Sequence, residues 1–318
     1  MKGCDCVQNT SWELIDRFPV RRSEEQRSAF RKAVSDYAAA LGYRVTEEPG
    51  KSHSVNLILG DPKTAKYLVT AHYDACARSF IPNFLIPFNV PLFLLVQFGI
   101  VGLMLLASFL CAGVVWLLGT PVSISYWIGL TVYWLLLLLT RYGPANANNR
   151  NDNSSGVVTL LELVRSLPEI HRGKVCFVLF DKEEAGLVGS KFYRKAHKEE
   201  SERQIVLNLD CVGDGDELML SPVNKAKENQ SLIQALKAGT GVYGQKSISV
   251  HEKGPAMFNS DQKNFPLGVT IAAYRRKKGV GLYVGKIHTN QDTTLDKTNV
   301  NILRAFLASF IANDAAVV

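Results

Sequence analysis

The chain has 318 residues, 47% apolar and 20% charged, with 36 Lys and Arg against 29 Asp and Glu and a formal net charge of +7. That length and balance fit one large folded domain or two small ones, and no internal repeat or low-complexity tract points to an array or a disordered chain. The modest positive charge fits a protein lying on an anionic membrane face, and no recognisable motif points to nucleic acid, so none is expected as a partner.

The six cysteines, Cys4, Cys6, Cys76, Cys111, Cys176 and Cys211, have neither zinc-finger spacing nor disulfide-scaffold density, and free thiols in a reducing cytosol are expected. The first residues, MKGCDCVQNTSWELIDRF, hold no apolar run, so no cleavable leader is expected. Ser23–Leu41 has helical periodicity, with Ser23 as N-cap and Gly42 just past the end. SVNLILG and KYLVTAH follow as strand-like runs.

Ser79–Thr140 then runs for 62 residues without Asp, Glu, Lys, Arg or His. Phe80–Val90, broken by Pro82 and Pro87, reads as an irregular approach to a membrane surface. Pro91–Gly119 and Pro121–Thr140 are each long enough to span a bilayer, which takes about 20 apolar residues. Trp116, Tyr126, Trp127, Tyr133 and Trp134 suit the interfaces. Beyond this stretch, the helical patterns Gly156–Leu167, Ser231–Gly239 and Val300–Ala315 alternate with the runs KVCFVLF, QIVLNLDCVG and GVTIAAY. Alternating strands and helices predict an α/β sheet covered on both faces. The expected organisation is one discontinuous domain, residues 1–79 and 141–318, interrupted by a two-helix transmembrane hairpin over residues 80–140. Arg275–Lys278 reads as a solvated basic turn.

The strand-like runs end on chemistry. KYLVTAHYD ends on His72 and Asp74, VCFVLFDKEE on Glu183 and Glu184, and QIVLNLD on Asp210. Open α/β sheets gather their sites at the carboxyl ends of strands. NRNDNSSG adds Asp152 just before a helix, and GKIHTNQD adds His288 and Asp292. Two imidazoles and several carboxylates suit zinc, and two zincs sharing a carboxylate can hold a nucleophile and a carbonyl together.

In this order, HYD, NDNSSG, KEEAGLVGS, NLDCVG, NSD and IHTNQD, the chain resembles the M28 family of zinc aminopeptidases. The resemblance runs from Arg17 to the C-terminus apart from the apolar insertion. It implies a three-layer α/β/α sandwich around a mixed sheet. It also implies two Zn²⁺ ions: His72 and Asp210 on one, Glu184 and His288 on the other, Asp152 bridging. Glu183 would be the general base that draws a proton from metal-bound water, and Asp74 would orient His72. Asp292 would do something similar near His288. Two features depart from the family pattern. Ile287 stands where relatives often have a tyrosine, leaving the oxyanion to Tyr274, to Tyr283 or to zinc alone. The insertion also separates His72 from Asp152.

If those two residues meet, the chain must leave and return on one side of the membrane, which two spans allow. Arg78 and Arg141 border the catalytic side, and positive-inside logic puts that side in the cytoplasm. The expected activity is a membrane-anchored di-zinc amide hydrolase removing N-terminal amino acids. Its substrate would be a peptide or N-acyl amino acid of hydrophobic character, delivered along the bilayer, or the hairpin would be an anchor only. The alternatives are a glutaminyl-cyclase-like acyl transferase with a single zinc, and a non-catalytic scaffold of the same fold.

Overall fold

In the computed structural model, which describes residues 10–81, 84–254 and 256–313, the apolar runs assemble into one sheet. Its strands are β1 (Val45–Pro49), β2 (Val55–Leu59), β3 (Tyr67–His72), β4 (Phe84–Leu85), β5 (Val175–Phe180), β6 (Ile205–Leu209), β7 (Glu217–Pro222), β8 (Gly241–Tyr243), β9 (Lys246–Val250), β10 (Leu267–Lys277) and β11 (Gly281–Gly285). The order is β1-β2-β5-β3-β6-β10-β7-β9-β8, with β11 pairing β10 and β4 pairing β11. The centre, β5-β3-β6-β10, is parallel, while β2 and β7 join it antiparallel, so the sheet is mixed.

Period-two alternation sends these strands into two separate cores. Val175, Phe177 and Leu179 of β5 enter one, and Cys176, Val178 and Phe180 enter the other. The first core is covered by α1 (Ser11–Arg17), α2 (Glu24–Ala40), the helix Gly156–Ser166 and the helix Lys297–Asn313, through residues such as Leu14, Phe30, Leu160 and Phe306. The second is covered by Val188–Ala196 and the turn Asp261–Asn264, through Tyr193 and Phe265. The result is the expected three-layer α/β/α arrangement. Helix α2 begins as its sequence requires, with Ser23 and Gln26 forming a reciprocal capping box.

The uncharged stretch forms α3 (Val90–Leu117) and α4 (Val122–Tyr142). At 1.5 Å per residue they are about 42 and 31 Å long, enough for the roughly 30 Å of a bilayer core. Both are long and apolar enough to cross a membrane, and only 11% of the apolar 18-residue window in each is buried. Leu117, Phe98 and Trp127 stand open. Exposed apolar surface on this scale marks a contact with a membrane or with another protein. The two helices touch through small residues: Ser108, Ser125 and Gly129 are buried there. A Cβ on Gly129 would lie 2.9 Å from the Ala112 Cβ and 3.0 Å from the Ser108 carbonyl. Gly113 has nothing within 4 Å of the same position. Gly129→Leu should therefore lower the melting temperature of the detergent-solubilised protein, by about 1–3 kcal/mol of overpacking. Gly113→Leu, with the same gain in helix propensity, should leave it unchanged or raise it. Equal melting of the two variants would contradict this packing.

Candidate metal centre

Three neighbouring parallel strands end together, and each end carries a donor. His72 closes β3, Asp210 directly follows β6, and Glu183 and Glu184 follow β5 by three and four residues. His288 arrives from the loop after β11, and Asp152 from the turn Arg150–Ser155 ahead of the helix Gly156–Ser166.

The Asp152 turn is tied down from several directions. Asp292 accepts from the backbone N–H groups of Asn151 at 2.7 Å and Asp152 at 3.0 Å. Asn153 donates to the Leu209 carbonyl at 2.8 Å and accepts from Cys211 N–H at 3.3 Å. Ser155 Oγ accepts from Val212 N–H at 3.0 Å, and Asn151 Oδ1 from Gly213 N–H at 2.7 Å. The polar run NDNSS thus clips the Asp152 turn onto the Asp210 loop. Gly156 completes the clip, because a Cβ there would sit 2.5 Å from the Leu209 carbonyl. Arg21, fully buried, joins the remaining pieces, donating to the Tyr73 carbonyl at 2.6 Å and to Ser154 Oγ at 3.0 Å.

The five donors picked out by the motifs come together. His72 Nε2 lies 3.2 Å from Asp152 Oδ1 and 3.8 Å from Asp210 Oδ1. His288 Nε2 lies 2.9 Å from Asp152 Oδ2 and 3.3 Å from Glu184 Oε1. Asp152 therefore turns one oxygen to each histidine. His72, Asp152 and Asp210 form one group whose ligand atoms all lie within 4.8 Å of one another, and Cys76, Glu184 and His288 form a second.

Asp74 Oδ1 is 3.5 Å from His72 Nδ1, and that nitrogen has no hydrogen-bond partner. The Asp74 carboxylate instead accepts the backbone N–H groups of Glu183 at 3.0 Å and Glu184 at 3.2 Å, so it also shapes the turn that presents both glutamates. Asp292 acts on the backbone of Asp152, a different contact from the one expected near His288. Ile287 lines the cavity beside His288. Neither Tyr274 nor Tyr283 lines it, and Tyr274 is buried against Phe88. Arg21 and Cys76 were missed by sequence reasoning. Nothing in FPVRRS marks Arg21, whereas Cys76 stands two residues after Asp74 in HYDAC.

The charges are in conflict. Burial pushes the Glu183 carboxyl well above the usual range, with Glu184, Asp261 and Asp210 adding and His72 opposing. Burial raises Glu184 too. Asp261, of the NSD motif, is pushed up to about 7 by burial and by the Asp74 and Asp210 carboxylates. Burial would lower both imidazoles, yet the surrounding carboxylates outweigh it and raise them. Burial likewise opposes ionisation of Asp152, but the two histidines hold it low. Carboxylates outnumber imidazoles, and the contacts of Glu184 Oε1 with His288 and of His72 Nδ1 with Asp74 are long, at 3.3 and 3.5 Å. This donor set fits a divalent cation that takes nitrogen and oxygen ligands. Lys182, Leu187, Cys211 and His288, all non-glycine, have left-handed φ between +56° and +60° around the same site, and such strain concentrates at functional sites.

The model of peptidase family M28 matches residues 143–311, just over half of the chain. No curated protein matches the chain by sequence at a significant level. Among solved structures, a Zn-dependent exopeptidase from Parabacteroides distasonis aligns with a TM-score of 0.58, 15% identity and 98% of each chain covered. A glutaminyl cyclase from Porphyromonas gingivalis aligns with a TM-score of 0.57, 15% identity and 98% of each chain covered. A leucine aminopeptidase precursor from Bacteroides thetaiotaomicron gives 0.55 and 15%, with 98% of this chain and 97% of that one covered. At such identity the likeness is one of fold. Together with the family match, it means that the chain belongs to peptidase family M28.

Proposed function

We propose that the chain is a zinc-dependent amide hydrolase held in a membrane by α3 and α4, which removes amino-terminal residues using two ions. The observation that carries this reading is the division of Asp152, one oxygen toward His72 and the other toward His288. His72, Asp152 and Asp210 would hold one ion, and Asp152, Glu184 and His288 the other. Zinc in such a setting supplies Lewis-acid polarisation of a carbonyl and acidifies water. Glu183 is the base: its carboxylate takes a proton from the attacking water and hands it to the departing amine as the C–N bond breaks. Asp74 holds the turn from which Glu183 works.

The cavity at the centre has a volume of about 330 Å³, room for one or two residues rather than a length of chain. Its apolar wall is Leu85, Phe93, Leu187, Met257, Phe258 and Ile287. Phe93 belongs to α3, and Arg141, near the end of α4, lines the same cavity and donates to the Ala185 carbonyl at 3.1 Å. The feet of both apolar helices thus form part of the site. That supports a substrate with an apolar residue or acyl group at the cleaved end, presented along the bilayer. Arg78 and Arg141 at the feet support a cytoplasmic catalytic side. The same fold in a glutaminyl cyclase supports a second reading, single-zinc cyclisation of amino-terminal glutamine.

Glu183→Gln should bind zinc normally and lose about 10²–10⁴-fold in turnover, while Glu184→Gln should lose metal; full activity in Glu183→Gln would end this assignment. Asp292→Asn, though no ligand, should weaken zinc binding by about 10–100-fold in chelator competition, and unchanged affinity would count against its role in holding Asp152. With a panel of aminoacyl, N-acyl and amino-terminal glutamine substrates, Phe93→Ser should raise KM for apolar residues by roughly 10-fold and leave kcat near its starting value. Cyclised product from the glutamine peptides, with one zinc per chain, would favour the second reading.

A further inference from the structure

Cys76 is buried, with 4% exposure, and unpaired. It follows β3, whereas Glu184 follows β5 and His288 follows β11. Three separate segments therefore bring a thiol, a carboxylate and an imidazole within 4.8 Å of one another. His288 Nε2 lies 3.3 Å from Glu184 Oε1 and 2.9 Å from Asp152 Oδ2, so the imidazole faces two carboxylates. The neighbouring group, His72, Asp152 and Asp210, has only nitrogen and oxygen donors.

The two halves of the centre therefore differ in kind. We propose that Cys76 is a ligand of the second metal position, completing with Glu184, His288 and Asp152 a four-donor set that contains a thiolate. This rests on the two-ion reading above and divides the labour within it. Zinc with four protein ligands is in a closed, tetrahedral setting of the structural type, whereas three protein ligands leave a place for water or substrate. The His72, Asp152 and Asp210 position is then the one that meets substrate, and the Cys76 position holds the shared carboxylate and fixes its charge. A thiolate also biases the second position toward zinc, cadmium or cobalt over magnesium and manganese. It exposes that position to oxidants as well, since a sulfur ligand climbs the sulfenic and sulfinic ladder where carboxylates do not. The competing account is that Cys76 is a small buried apolar group with no metal contact.

The test uses the full-length protein, stripped of metal and titrated with Co²⁺. A sulfur-to-cobalt charge-transfer band in the near ultraviolet should grow with one of two bound equivalents. It should vanish in Cys76→Ser and persist in Cys211→Ala and Cys111→Ala. Cys76→Ser should also bind one of its two ions at least 10-fold more weakly, the lower end of what even outer-shell changes cost, while keeping the other. If Cys76→Ser does not fold, persistence of the band in a variant combining Cys4→Ala, Cys6→Ala, Cys111→Ala, Cys176→Ala and Cys211→Ala assigns it to Cys76, and its loss there overturns the proposal. Two bound equivalents without a charge-transfer band in the wild-type protein would overturn the role of Cys76 and leave the metal centre standing. No cobalt uptake at all would overturn both.

Discussion

The shared carboxylate of Asp152 is the constraint on which the rest of the structure depends. One oxygen lies 3.2 Å from His72 and the other 2.9 Å from His288, so neither imidazole can move without disturbing the other. A residue in that position cannot sit on a free loop. Asp292, Asn153, Ser155, Asn151 and Arg21 hold the turn that carries it, and the helix behind it packs into the larger core. The parallel centre of the sheet serves the same end, since three adjacent strands finishing on one edge supply three fixed anchor points.

That constraint explains the electrostatic discord around it. Low dielectric makes each buried carboxylate costly unless a positive charge answers it. Asp152 is answered by two histidines and stays ionised, while Glu183, Glu184 and Asp261 are pushed toward their protonated forms. A site left in this condition is one arranged for charge that comes from elsewhere. The left-handed backbones at Lys182, Leu187, Cys211 and His288 have the same source: side chains are aimed first and backbone comfort comes second.

Much of this was legible in the residues. The runs that became β2, β3, β5, β6 and β10 are apolar because both faces of a central strand are buried, and among the helices flanking them α1 and α2 open on capping boxes. The donor residues were legible because each ends such a run or stands beside a helix start. What escaped notice was peripheral or long-range. Strand β1, VTEEP, is a half-exposed edge with no apolar run to mark it, and β4 is a two-residue pairing that exists only because β11 lies beside it. Arg21 acts through contacts more than fifty positions away, and no local pattern announces such a partner. Cys76 reads in the sequence as one more free thiol, and only the fold brings Glu184 and His288 to it.

The insertion between His72 and Asp152 has a quieter counterpart at its feet. Ala77 and Ala145 form an antiparallel bridge, with Arg78 N–H donating to the Pro144 carbonyl at 2.8 Å and Asn146 N–H to the Cys76 carbonyl at 3.2 Å. Closing a flexible loop costs entropy that rises with its length, though slowly. Here the excursion is two packed helices whose ends return to a single clasp, so little of that cost falls on the domain. As far as the central strands are concerned, the chain goes from residue 77 to residue 145 in one short step, and the segment between joins the sheet at its margin, where β4 pairs β11.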